Sequence, residues 1–324
     1  MSVDKFIRNP MLATLVGALV AAMVVSLVVF VHSGEAAPHA ADEQTPYASV
    51  SPKSPMIVGG TAVPNGKYPF MAALLDKRRP GNAFQEQFCG GTLIDKNRVL
   101  TAAHCFFDAK GDPDPESINA LKVIVGRTVL TSSQGQVRSI KRKFIHPKYN
   151  PNSAAFGNYD AAVLKVSRSV SGIAPINLAS SKQNYLEKPG RKATVAGWGS
   201  TTAREACVPS PLHQPVYPEQ MREAQVPIVS DSRADQIYQD ICRSRGALRS
   251  TFTPQLMVAA GGTGKDTCQA DSGGPLFVAQ ASSAKYTQIG ITSFGPGCGP
   301  KRFPAAYTEV NASPIASFIG RAAK

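Results

Sequence analysis

The sequence predicts an all-β sandwich or barrel, and three observations carry that expectation. Short runs rich in β-forming residues recur between turn signals at 68–75, 91–94, 122–125, 161–166, 193–196, 275–278 and 288–294. Glycine (27 residues) and proline (25) punctuate the chain, while one tryptophan and 7% aromatic content argue against a bundle of long helices. No repeat of roughly 20–50 residues is visible, which disfavours propellers and solenoids. With 324 residues, 43% of them hydrophobic and 18% charged, the chain can bury a sizeable core and is no disordered tail.

The elements follow in order. Residues 11–31 form an apolar run broken only by Thr14, Gly17 and Ser26 and preceded by Lys5 and Arg8. About 20 apolar residues span a bilayer, and basic residues on the leading flank keep that end in the cytoplasm. The run is long for a cleaved signal, yet Gly34-Glu35-Ala36 offers a small-residue cleavage site, so anchor and signal peptide both remain open. Either way the following chain is secreted or extracytoplasmic. Residues 33–56, rich in Ala, Pro and Ser without apolar periodicity, read as a flexible linker or pro-segment. The β-rich runs come next. Two segments read as helix, 231–242 and 314–324, the second with Ile315, Phe318 and Ile319 on one face. The division expected is therefore 1–32 for a cytoplasmic tip with its signal or anchor, 33–56 for the linker, and 57–324 for a single functional domain.

The net charge of +13 belongs to that domain, because residues 1–56 hold three basic and four acidic residues. An anionic polymer or simple solubility accounts for such a charge. No basic cluster interleaved with stacking aromatics points to nucleic acid. The glycine-rich segment ending in Gly264-Lys265 is not a phosphate loop, since Asp266 follows the lysine and Ala259 stands where the first glycine belongs.

Three distant segments carry chemistry: Thr101-Ala102-Ala103-His104-Cys105, Asn158-Tyr159-Asp160-Ala161-Ala162-Val163-Leu164, and Asp266-Thr267-Cys268-Gln269-Ala270-Asp271-Ser272-Gly273-Gly274-Pro275. Taken singly, His104 suits a core histidine or metal ligand, Asp160 a turn before a strand, and Ser272 a tight turn. No Cys/His cluster has zinc spacing. Together, with Ile57-Val58-Gly59-Gly60, His146-Pro147-Lys148-Tyr149-Asn150, Gly197-Trp198-Gly199 and Ala306-Tyr307-Thr308-Glu309-Val310, they resemble the trypsin-like serine proteases of the chymotrypsin fold. The resemblance runs from Ile57 to the C-terminal helix. It implies two six-stranded antiparallel β-barrels, a C-terminal helix and a serine endopeptidase without metal or cofactor.

The resemblance assigns His104, Asp160 and Ser272 to a catalytic triad. A serine hydroxyl needs a base to take its proton, and histidine titrates in the right range to do so and to return the proton to the leaving amine. The backbone N–H groups of Ala270 and Ser272 then form the oxyanion hole. Asp266 is placed at the bottom of the specificity pocket with Thr267 beside it and Ala305 on its wall; Ser293 and Gly295 resemble the residues that pair with substrate backbone, Gly295 leaves the pocket mouth open, and Phe294 keeps an apolar wall. This implies protein or peptide substrates cut after Arg or Lys, with protein protease inhibitors as further partners. Two residues depart from the family: Ala270 and Ala305 stand where glycine is usual, which predicts a slower enzyme and a narrower pocket favouring Arg. His146 and His213 read as structural or surface residues.

By the same resemblance Ile57 becomes a new N-terminus whose amine pairs with Asp271. Met56 precedes that bond, so an Arg/Lys-specific enzyme does not process itself there; another protease, or cleavage after Lys53 with trimming, is required. Every cysteine follows Met56, so this cleavage also frees the domain from any anchor. The resemblance pairs Cys89 with Cys105 and Cys268 with Cys298, and leaves Cys207 and Cys242 as a non-standard third bridge. Two bridges common in the family are missing, with Ala193 and Val278 at one and Ala259 at the other. The family's calcium loop is unsupported, because Arg127 occupies an acidic position and no Asp or Glu follows as far as Gln136. The sequon Asn311-Ala312-Ser313 is weakened by Pro314. The alternative reading is a catalytically weak or inactive homologue that binds anionic polymers.

Overall fold

Two closed antiparallel barrels form the domain in the computed structural model, which describes residues 57–108, 110–113, 118–206, 214–241, 252–280 and 285–323. After β1 (Thr61–Ala62), the first barrel uses β2 (Met71–Asp76), β3 (Gln87–Asp95), β4 (Arg98–Thr101), β5 (Leu121–Val125), β6 (Gln136–Ile145) and β7 (Ala162–Val166), closed in the order β2-β3-β4-β7-β6-β5. After the short β8 (Asn177–Leu178), the second uses β9 (Lys192–Gly197), β10 (Arg222–Val229), β11 (Met257–Gly261), β12 (Pro275–Ala279), β13 (Tyr286–Phe294) and β14 (Pro304–Glu309). It closes because β9 pairs with both β10 and β12. β1 adds to β10, and β8 lies parallel to β13.

All seven β-rich runs fall on these strands. Those not anticipated have local reasons. β6 reads Gln-Val-Arg-Ser-Ile-Lys-Arg-Lys-Phe-Ile and has a charged, exposed outer face. β10 contains Pro227, which as a rule argues against a strand interior. β11 and β14 are alanine-rich, and Ala259 faces Ala306 while Ala260 faces Ala305 in a fully buried ladder. Alanine is a poor strand former, so here the barrel closure overrides local preference.

Each barrel has its own interior. Leu74, Leu93, Val99, Val123 and Leu164 fill the first, and Val195, Val226, Leu276, Ile289 and Ile291 fill the second. Helix α1 (Ala83–Glu86) caps the β2–β3 connection, and α2 (Asp231–Ile241) matches the expected helix nearly end to end. The C-terminal α3 (Ser313–Ala322) starts with proline in its first turn and buries Ile315, Phe318, Ile319 and Ala322 on one face. Each of the larger three is worth about 1.5–3 kcal/mol when withdrawn from water. His146 anchors the helix from below: it stacks on Tyr159 and meets Phe318 edge-on, both at 4.9 Å. Burial lowers its pKa, and of the two readings open to it, structural or surface, the packing makes it structural.

The bridges Cys89–Cys105 and Cys268–Cys298 are formed. Where one family bridge is missing, Ala193 and Val278 are packed into the second core instead. Cys207, Cys242, His213 and residues 1–56 lie outside the described residues. Among those described, no helix is long and apolar enough to cross a membrane.

Candidate active site

The β4–β7 ladder explains why His104 and Asp160 meet. Thr101 pairs with Ala162 at its end, so the chain three residues past Thr101 runs beside the chain two residues before Ala162. His104 begins a single 3-10 turn there, flanked by the fully buried Ala102 and Ala103. Its Nδ1 lies 2.7 Å from Asp160 Oδ2, and its backbone N–H donates to Oδ1 at 2.9 Å. A carboxylate accepts only, so Nδ1 carries the proton and Nε2 is left as the basic nitrogen.

Asp160 is almost completely buried. Burial is the strongest influence and opposes its charge, but His104 and the hydrogen bonds from His104 and Ser293 outweigh it and hold the carboxyl below its usual range. For His104 burial acts to lower the pKa, and the Asp160 charge and hydrogen bond prevail and raise it. Two supports were not legible in the sequence. The Ser293 hydroxyl donates to Asp160 Oδ2 at 2.5 Å, and Thr308 Oγ1 donates to the Asp160 carbonyl at 3.0 Å.

Ser272 sits in the turn before β12. Its carbonyl accepts from Gly90 N–H at 2.7 Å and lies 3.9 Å from Cys105 Sγ, which docks the serine turn against the strand and disulfide beside His104. Gly273 makes that docking possible, since a Cβ there would lie 2.1 Å from Thr101 Oγ1. The hydroxyl makes no hydrogen bond to His104 among the described residues; hydrogen bonds between a hydroxyl and a neighbouring base are often long in ligand-free sites. Ala270 has φ 73°, a left-handed conformation costing a residue with a Cβ about 1–2 kcal/mol. The Gln269 carbonyl of the preceding peptide accepts from Ser200 N–H at 2.8 Å, and the Ala270 carbonyl accepts from Gln87 Nε2 at 2.9 Å.

The Trypsin family matches residues 57–319. Relatives include a trypsin from Saccharopolyspora erythraea, 35% identical over 260 residues covering 79% of this chain and 94% of the relative. The venom peptide isomerase heavy chain of Agelenopsis aperta is 32% identical over 263 residues, 79% of this chain and 96% of its own. Trypsin, alkaline B, of Manduca sexta is 32% identical over 270 residues, 82% of this chain and 90% of its own. The chain belongs to the trypsin family. It is a trypsin-like serine endopeptidase.

A cavity of about 220 Å³ opens beside Ser272 in this trypsin-family domain, walled by Thr267, Ser293, Phe294, Gly295 and Ala305. Asp266 does not face it directly. It is 1% exposed, and its carboxylate accepts from Thr267 N–H at 2.8 Å and Gly299 N–H at 3.1 Å. Desolvation outweighs those bonds and pushes its pKa up to about 7. Arg204, which the sequence reading passed over, also lines the cavity, and its Nε is buried without a hydrogen-bond partner.

Asp271 is buried as well, accepting from Gly199 N–H at 2.8 Å and Cys268 N–H at 3.0 Å, and burial raises its pKa to about 7. A Cβ on Gly199 would lie 2.3 Å from its carboxyl, so only glycine allows this approach. No cation pairs with Asp271 among the described residues. Ile57 is fully buried, and the next residue, Val58, packs with the Cys268–Cys298 bridge and accepts from Asp266 N–H at 3.2 Å.

Cys89, His104 and Cys105 form a compact cluster of metal-type ligands, but both sulfurs are tied in one disulfide and offer no thiolate. In the loop after β5, Arg127 donates to the carbonyls of Gln134 at 2.5 Å and Leu130 at 3.1 Å. A guanidinium thus fills the loop where relatives were expected to differ by binding calcium.

Proposed function

We propose that this protein is an extracytoplasmic serine endopeptidase that cleaves after Arg or Lys through His104, Asp160 and Ser272. The observation that carries the reading is the 2.7 Å contact between His104 Nδ1 and Asp160 Oδ2 beside a cavity that ends on Ser272. The steps follow from it. Ser272 Oγ attacks the scissile carbonyl carbon while His104 Nε2 takes its proton. The oxyanion faces the N–H groups of Ala270 and Ser272, and the buried Asp160 stabilises the imidazolium. His104 then gives the proton to the leaving amine, the C–N bond breaks, and an acyl-enzyme remains. Water, deprotonated by the same histidine, releases the acid and restores Ser272.

Asp266 supports the specificity. A carboxyl close to neutrality behind the cavity wall gains most from a cationic side chain, which returns its charge and offsets its desolvation. Ala305 lines the cavity, and its methyl, where the family usually has glycine, takes space from a long guest and favours the planar fork of Arg. Asp271 supports a zymogen: a buried carboxyl with two N–H donors and no cation among the described residues is a ready partner for the Ile57 amine once the Met56–Ile57 bond is cut by another protease. We assign residues 1–32 to export or anchoring, 33–56 to a linker lost on activation, and 57–324 to the protease. Protein protease inhibitors that mimic substrates are natural partners.

An active-site fluorophosphonate tests this reading. The chain cut at Met56–Ile57 is expected to carry the label on Ser272 and to hydrolyse Arg and Lys substrates, while the uncut chain and Ser272→Ala do neither. Failure of the cut chain to label would leave the inactive, polymer-binding alternative, for which no specific observation speaks.

A further inference from the structure

We infer that Gln87 is a positioning residue that holds Ala270 in the strained conformation on which the oxyanion hole depends. This rests on the oxyanion role proposed above for the Ala270 N–H. Gln87 opens β3, is 6% exposed, and spends both amide hydrogens on carbonyls: Cys89 at 3.1 Å and Ala270 at 2.9 Å. Two carbonyl acceptors on one side fix the amide nitrogen there, since its oxygen would repel both. One arm of the amide is therefore anchored within its own strand, close to the disulfide that borders His104, and the other reaches 183 residues along the chain to the serine turn.

Ala270 gives this bond its consequence. Of the described non-glycine residues only Tyr159, Ala270 and Arg302 have positive φ. In the left-handed region a Cβ crowds its own backbone, and rotation of the adjoining peptides relieves it. Relaxation of φ turns the 269–270 peptide, which carries the Ala270 N–H, relative to the 270–271 peptide, which carries the Ala270 carbonyl; the Gln269 carbonyl accepts from Ser200 N–H at 2.8 Å and the Ala270 carbonyl from Gln87 at 2.9 Å, so the two bonds hold the two ends of that rotation. A glycine would have no Cβ to relieve and no reason to rotate. Gln87 and Ala270 are in this sense a matched pair: the donor opposes the relaxation that the methyl group favours. Arg79 steadies the arrangement by donating from Nη1 to the Gln87 carbonyl at 3.2 Å.

The test is a double-mutant cycle on the activated enzyme. Gln87→Met keeps the side-chain length and removes both donors. Alone it is expected to lower kcat about tenfold, the scale of one buried hydrogen bond, with KM unchanged. In the Ala270→Gly background the same substitution is expected to change kcat less than about twofold. Melting curves of all four proteins accompany the kinetics; if Gln87→Met does not fold, Gln87→Asn, which keeps a shorter amide, replaces it and is expected to show a smaller loss that Ala270→Gly again abolishes. An equal loss of kcat in both backgrounds, or a loss confined to KM or melting temperature, overturns the inference. A wild-type enzyme that does not turn over overturns the proposed function instead, so the two failures are distinguishable.

Discussion

The hydroxyl of Ser293 and the imidazole of His104 share one oxygen, Asp160 Oδ2, at 2.5 and 2.7 Å. β13 of the second barrel thereby orients a carboxylate that belongs to the first. Ser293→Ala removes a charge-assisted bond worth about 1.5–3 kcal/mol at a buried anion. The expected outcome is a fall in kcat/KM of about tenfold. The carboxylate, relieved of one donor, holds the His104 proton more tightly, so the acid limb of the rate profile moves to higher pH. Steady-state kinetics across pH 5–9 measures both; an unshifted limb with full activity would sink the assignment.

Asp266 gives a second, opposite-signed test. Its pKa of about 7 lies above the usual carboxylate range because the folded protein disfavours its charge. A cationic guest needs the ionised form, so affinity is expected to rise as pH climbs through 7 and to level off above it. Benzamidine, a cation with no scissile bond, isolates the pocket from His104 when its affinity is measured by calorimetry on Ser272→Ala. Asp266→Ser is expected to lose at least tenfold in affinity and the pH dependence with it. Affinity that is flat between pH 5 and 9 contradicts the role given to Asp266.

Arg204 stands against that same guest. It lines the cavity and carries a buried Nε with no hydrogen-bond partner, so a positive charge on the wall opposes an incoming Arg or Lys. Arg204→Ala is expected to lower KM for Arg and Lys substrates several-fold and to leave kcat nearly unchanged. A rise in KM would instead mark Arg204 as part of the pocket's support.

The sequence made the chemistry more legible than the scaffold. The segments around His104, Asp160 and Ser272 stood out because several chemistry-bearing side chains fall within short stretches, and the β4–β7 register sets His104 beside Asp160. The strands that close the barrels were obscured where closure, not local preference, decides the conformation: the alanines of β11 and β14, Pro227 in β10 and the charged face of β6. Long-range polar supports were obscured for a related reason. Gln87, Ser293 and Thr308 act across 183, 133 and 148 residues of chain, and no local pattern marks a residue whose partner is that far away. Ala270, by contrast, was visible as a departure, because alanine stands where the family usually keeps glycine, and its φ of 73° is left-handed and costs a residue with a Cβ about 1–2 kcal/mol.

Arg127 makes the last prediction, about stability. It is 9% exposed, and its guanidinium joins the carbonyls of Gln134 and Leu130, tying the loop between β5 and β6 to itself. A buried cation already satisfies those carbonyls, so an added cation has nothing to gain there and would meet charge repulsion. Melting curves in millimolar calcium and in EDTA are therefore expected to superimpose. Arg127→Ala leaves two carbonyls without their donors and is expected to lower stability by about 2–4 kcal/mol, combining lost charged hydrogen bonds with unsatisfied acceptors. Because the loop lies between β5 and β6 and contributes no atom to the His104–Asp160 contact, kcat of the folded fraction is expected to remain unchanged. Stabilisation of the wild type by calcium would show that the loop still binds the ion and that Arg127 does not replace it.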